Sequence, residues 1–221
     1  LRHINIRAIP LNASHSPQAF DLITTQHDLS NLIDRLKEHR HLSFDTEFVS
    51  EHTYRSQLCL LQVSAPGILA AVDTLAVPNL DSFWNLLSEP DRTTIVHAGR
   101  EELGFVLHAI GKRPTKLFDV QVAAGLVDHD YPSGYASLVR RILGFNTNKG
   151  ETRTDWRRRP LSDAQLEYAM DDVRYLEAMW ASLEERLSQL GRTEWMVAEM
   201  LAWQDDVEES FLRKRWRRIS G

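Results

Sequence analysis

The order in which two kinds of apolar spacing occur along the chain restricts its fold more than any other feature. Strand-length runs come early, at residues 41–48 (HLSFDTEF), 57–64 (QLCLLQVS) and 68–72, parted by turn-forming stretches at 51–55 and at Pro66-Gly67. Before them stands a mixed leader over 1–25 and an amphipathic helix over 28–40, with Leu29, Leu32, Ile33 and Leu36 on one face. Strand and helix then mix: a helix over 81–87, a strand over 93–97, a helix over 101–110, a strand over 117–120 and a helix over 121–127. Beyond residue 135 only helical spacing remains, over 135–143, 163–189 and 193 to about 213. Strands first, then both, then helices alone predicts an α/β domain whose mixed β-sheet is covered by α-helices.

Two carboxylates interrupt the first strand. Asp45 and Glu47 stand two apart, and the period of two in a strand turns both side chains to one face of the sheet. A plain reading makes them solvated acids on a strand edge. In an apolar run, however, clustered acids are costly unless a divalent cation neutralises them. On the helix containing EYAMDDVRYL, Tyr168 and Asp172 are four apart and therefore share a face. Taken alone, that helix reads as ordinary, with Tyr168 packed and Asp171 and Asp172 in water. In HAGREEL, Glu101 and Glu102 open a helix, where acids suit the positive end of the helix dipole without further purpose. A strand pair, a helix-start acid and a later Tyr/Asp helix can converge on one place when a sheet is covered by helices, and the set points to metal-dependent chemistry.

These stretches also carry a resemblance. FDTEF at 44–48, HAGREEL at 97–103 and YAMDDVRYL at 168–176 resemble, in order and spacing, the three exonuclease motifs of the ribonuclease D family, a branch of the DnaQ-like (DEDDy) 3′-5′ exonucleases. The stretch KGETRTDWRRRPLSDAQLEYA at 149–169 is similar to the family's segment before its third motif, and the resemblance runs from about residue 20 to about residue 190. It implies a ribonuclease H-like fold and removal of 3′-terminal nucleotides from RNA, with transfer RNA precursors as family substrates. It also implies that Asp45, Glu47, Glu102 and Asp172 hold two divalent ions, Mg2+ or Mn2+, and that Tyr168 acts beside them. Glu102 departs from the family's aspartate by one methylene.

On that footing Asp45 is expected to bridge two cations about 3.5 to 4 Å apart, a spacing that lets a pair of ions serve both attacking and leaving oxygens. Glu47 and Asp172 complete the ion that polarises the attacking water, Glu102 holds the other through water, and Tyr168 orients the nucleophile. Lys149, Arg153 and Arg157 to Arg159 around Trp156 read as a basic patch with an aromatic face for phosphates and an unpaired base, and Phe48 as a wedge against the terminal base. A core position is the plain alternative for Trp156 and Phe48. His97 reads as a satisfied histidine at a strand end, and Asp119 as the cap of the helix that follows.

Composition narrows the setting. A net charge of −5 argues against a protein that coats nucleic acid through a general positive field, yet suits one that gathers carboxylates around metals. The one cysteine, Cys59, lies in an apolar run and cannot form an internal disulfide, so a reducing, cytoplasmic setting is expected. No run reaches the roughly 20 apolar residues that span a bilayer, and no membrane partner is expected. Residues 1–192 read as the exonuclease domain and 193–221 as a helical extension, its basic tail RKRWRR leading toward a helical RNA-binding domain outside this sequence; a monomer is expected. Two other functions compete: a nuclease-like module that holds RNA without cutting it, and an exonuclease for single-stranded DNA.

Overall fold

The computed structural model describes residues 19–50, 56–128, 131–147 and 154–217, the last seven of these by backbone only. In chain order the elements are β1 (Asp21–Ile23), α1 (Gln26–Lys37), β2 (His41–Val49), β3 (Gln57–Ala65), β4 (Ile68–Asp73), α2 (Asp81–Leu87), β5 (Thr93–Val96), α3 (Arg100–Ile110), β6 (Lys116–Asp119), α4 (Val120–Asp128), α5 (Tyr135–Leu143), α6 (Asp163–Arg174), α7 (Leu176–Gln189) and α8 (Thr193–Arg217). The strands form one mixed sheet in the order β1-β4-β3-β2-β5-β6. The three central strands β4, β3 and β2 are antiparallel neighbours, while β1, β5 and β6 run parallel to theirs. The expected sheet covered by helices is therefore what forms.

Alternation along β2 sends side chains to the two faces of the sheet. Phe44 meets Phe83 and Trp84 of α2 edge-on, with ring centroids 5.7 and 6.1 Å away, while Thr46 and Phe48, on the same face of β2, meet Glu102 and Phe105 of α3. The odd-numbered residues Ser43 and Asp45 lie beside Ser64 and Gln62 of β3. Ser64 Oγ donates to the Val173 carbonyl of α6 at 2.9 Å, which fixes α6 over that other face. Near the end of β2 the register with β3 slips: Glu47 pairs with Leu60 but Phe48 pairs with Leu58, leaving Cys59 as the extra residue of a bulge.

Three elements differ from the sequence expectation. Asp21–Ile23, placed in the leader, pairs parallel with β4 as an edge strand. The helix expected from residue 28 starts at Gln26, because the Thr25 hydroxyl accepts the Asp28 amide as its cap. The long helix over 163–189 is two helices, α6 and α7, that meet at Tyr175, whose ψ of −2° leaves the helical range. Helix α8 packs back on the domain through buried Met196, Met200 and Val207, and Asp205 pairs with Arg113.

Candidate active site

The sheet and α6 bring Asp45, Glu47 and Asp172 to one end of the odd face of β2. The register between β2 and β3 puts Asp45 beside Gln62, under α6, with Glu47 one pleat further on. Ser162 and Gln165 close a capping box at the start of α6, with bonds of 3.2 and 2.9 Å, and so fix the phase of the helix. Tyr168 and Asp172, one turn apart on it, then share a direction, and the Tyr168 hydroxyl donates to the Asp172 carboxylate.

Glu102 arrives from a different element. It lies in the first turn of α3, is buried, and its Oε1 accepts the Thr46 hydroxyl at 2.6 Å. The turn that delivers it is held by Asp119, at the end of β6. One Asp119 oxygen accepts the Ala98 amide at 3.1 Å and the Gln121 amide at 2.8 Å, and the other accepts the Gly99 amide at 2.9 Å. Asp119 thus caps α4, as the sequence suggested, and also secures the turn before α3. That turn is demanding: Ala98 has φ +52°, and a Cβ on Gly99 would come within 2.5 Å of Val96.

Electrostatics tie the four acids together. Burial raises Asp45 well above the usual carboxylate range, and the charges of Glu102, Asp172 and Glu47 raise it further. Glu47 is pushed up to about 8 by burial and then by Asp172 and Glu102. Burial lifts Glu102 to about 7 against the lowering bond from Thr46, and lifts Asp172 to about 7 with help from Asp171 and against the bond from Tyr168. Without a cation these groups resist sharing one charge state. As they stand, no three His, Cys, Asp or Glu side chains among the described residues are grouped tightly enough to hold an ion. Their chemistry nonetheless fits one: all are hard oxygen donors, and beside Asp45 the fully buried Gln62 amide and the Ser43 hydroxyl lack hydrogen-bond partners among the described residues.

The expected substrate contacts fare unevenly. Lys149 and Arg153 lie outside the described residues. Trp156 is buried, 6% exposed, with its ring 6.3 Å from that of Tyr168 and inclined by 30°, so the open stacking face expected for a base is a packing face instead. Phe48 rests edge-on against Phe105 of α3 at 5.5 Å. Arg157 pairs with Asp155 through bonds of 2.8 and 3.1 Å, and Arg158 is the most exposed of the triplet. Arg159 is no phosphate hook: its guanidinium grips Asp73 at 2.6 and 2.7 Å. His97 is half-buried with Nε2 3.0 Å from the Ser133 carbonyl and its ring against Tyr135, as befits a satisfied histidine.

Sequence reasoning missed Thr46, Gln62 and Tyr135. The Tyr135 hydroxyl donates to the Asp171 carbonyl at 2.5 Å, and its ionisation is pushed up by burial and by the charges of Asp172, Asp171 and Asp45, which puts it beside the acids. Gln62 was readable in principle, since a glutamine in the middle of QLCLLQVS is an anomaly in a buried strand.

Comparison with known proteins gives a consistent result. A 3′-5′ exonuclease family model matches residues 20–188. Ribonuclease D of Shewanella sp. (strain ANA-3) is 38% identical over 190 residues, covering 86% of this chain and 49% of that protein. The chain spans about half the length of the curated relatives it matches. Among solved structures, Escherichia coli RNase D, an exoribonuclease involved in structured RNA processing, superposes with a TM-score of 0.82 at 32% identity, over 86% of this chain and 51% of that one. Brucella melitensis NrnC with bound Mg2+ gives 0.69 at 28% identity, over 80% and 87% of the two chains. The same protein bound to pGG gives 0.73 at 26%, over 88% and 95%. The mixed sheet with its helices is the ribonuclease H-like exonuclease fold.

Proposed function

The chain belongs to the 3′-5′ exonuclease family, in its ribonuclease D branch, and from that premise we propose that it is the catalytic domain of a metal-dependent exoribonuclease. It removes 3′-terminal nucleotides from RNA, with transfer RNA precursors among its substrates, and it works as a monomer in the cytoplasm. The observation that carries this reading is the convergence of four acids from β2, α3 and α6, each burdened by its neighbours' charge, with Tyr168 bonded to one of them. A buried acid cluster of this kind has no structural use that offsets its cost, whereas a cation site does.

Asp45, Glu47, Asp172 and Glu102 would hold the divalent ions, Mg2+ or Mn2+. Bound there, such ions supply Lewis-acid stabilisation of phosphate charge and activation of water. The chain's own residues do the positioning. Burial and the Asp172 charge push the Tyr168 phenol above its ordinary range, so at neutral pH it keeps its proton and orients the attacking water rather than deprotonating it. Exposed Arg158, together with Lys149, Arg153 and Arg157, holds the phosphates of the strand, and Phe48 borders the terminal base.

The test is a time course of a 5′-labelled single-stranded RNA with Mg2+ or Mn2+, beside a chelator control and Asp45→Ala. The expected result is a ladder that shortens from the 3′ end and disappears in both controls. RNA that binds but stays whole with either metal overturns the enzyme and leaves a binding module; a single-stranded DNA cut faster than RNA overturns the substrate.

A further inference from the structure

Arg159 is 24% exposed and spends its guanidinium on the protein itself. Nε and Nη2 donate to Asp73 at the end of β4 at 2.6 and 2.7 Å, a fork-to-fork pair that sets the plane of the group. Nη2 also donates to the Cys59 carbonyl at 2.8 Å, and Nη1 donates to the carbonyls of Trp156 and Arg158 at 2.7 and 2.9 Å. Burial alone would raise Asp73, but these bonds and those from the Leu75 and Ala76 amides hold its carboxyl below the usual range, so the pair stays charged.

The partners matter because of where they sit. Cys59 is the extra residue of the bulge opposite Glu47 and Phe48, and Arg159 satisfies the carbonyl of that residue. Trp156, whose carbonyl the same group holds, lies buried with its ring nearly parallel to that of Tyr168. One planar cation thus ties the loop after residue 153 to the sheet beside the acids, and that loop backs the phenol.

We propose that Arg159 is a positioning residue for the exonuclease reaction, acting through Trp156 to hold Tyr168 in register with Asp172 and the bulge beside Glu47. The proposal rests on the function argued above. Lysine keeps the charge but cannot span Asp73, Cys59 and Trp156 with one planar group, so Arg159→Lys loosens the loop without touching an acid.

The experiment measures kcat and KM on a labelled RNA oligomer for Arg159→Lys, Trp156→Phe and the double variant. It adds NMR of protein carrying 13C-labelled tyrosine rings, with the Tyr168 signal identified by Tyr168→Phe. Arg159→Lys is expected to lower kcat about tenfold to a hundredfold, the scale of a small misplacement of a catalytic group, with KM within about twofold. The double variant loses no more than the worse single one, because both act along one path. The Tyr168 signal moves and that of exposed Tyr131 does not. A rise in KM at constant kcat, fully additive losses, or an unmoved Tyr168 signal overturns the proposal. If Arg159→Lys does not fold, Trp156→Phe decides alone: it leaves the clamp whole, and must still shift Tyr168 and lower kcat. If the parent chain cuts no RNA, the proposed function fails, while the NMR comparison still reports on whether Arg159 sets Tyr168.

Discussion

The Thr46 hydroxyl donates to Glu102 Oε1 at 2.6 Å although the two residues are 56 positions apart, so β2 carries both the central acid, Asp45, and the group that orients its partner from α3. The bond engages Oε1 and so sets the orientation of the carboxylate. Outer partners of this kind commonly contribute about 10 to 100-fold in metal affinity. Thr46→Val is therefore expected to weaken Mn2+ binding about tenfold or more in a calorimetric titration. Thr46→Ser, which keeps the hydroxyl, should stay near the parent value, and equal loss in both variants would discard the role.

Cation binding should also release protons. With Glu47 near 8 and Glu102 and Asp172 near 7, the metal-free chain carries part of its acid cluster protonated at neutral pH, and a cation takes the deprotonated form. Titrations with Mg2+ at about pH 7, in buffers of different ionisation enthalpy, should give heats that scale with the buffer. Heats independent of buffer would mean that the cluster is already ionised.

Stability of the metal-free chain follows with a definite sign. These acids have folded pKa values above their unfolded ones, near 4, so between about pH 4 and about 8 the folded chain holds more protons than the unfolded chain. Their contribution is most favourable at the acid end and is lost as pH rises through 7 and 8. Melting curves from about pH 5 to about 8.5 should show the loss, reduced in Glu47→Gln and reversed by Mg2+. Parent and variant profiles of the same slope would count against it.

Tyr168→Phe removes one hydroxyl and keeps the ring against Trp156. If the phenol orients the nucleophile, kcat falls about a hundredfold while Mn2+ affinity changes by less than about twofold. A comparable loss of affinity would make Tyr168 part of the cation site instead.

Buried Asp119 holds amides of two segments at once, so its removal leaves the amides of Ala98, Gly99 and Gln121 without this partner, that of Gly99 in a buried position. Asp119→Ala should cost about 3 kcal/mol or more in chemical denaturation. Gly99→Ala, which forces a methyl against Val96, should cost about 1 to 3 kcal/mol. A neutral Gly99→Ala would mean that the turn before α3 yields easily.

Much of this architecture could be read from spacing. The period of two in HLSFDTEF fixed the shared face of Asp45 and Glu47, and the four-residue step fixed Tyr168 over Asp172. What escaped had its cause far away in the chain. The three residues of β1 are too few to show a period, and their strand exists because β4 offers an edge. The break at Tyr175 has no Gly or Pro to announce it. Arg159 looked like a phosphate ligand because its true partner, Asp73, is 86 residues away. Asp119 could be read as a local cap, but its hold on Ala98 and Gly99 depends on β5 and β6 being neighbours.

The borders of the sheet have a consequence of their own. Among the described residues it ends in β1, three residues long, and β6, four residues long, while the nine-residue strands β2 and β3 are enclosed. A foreign strand seeking unpaired amides finds a ladder only a few rungs tall at either margin, with Lys116 at one and Asp21 at the other. Crowded copies of this domain therefore have little template for joining sheet to sheet, and β2, the long strand that carries Asp45 and Glu47, stays out of reach of such pairing.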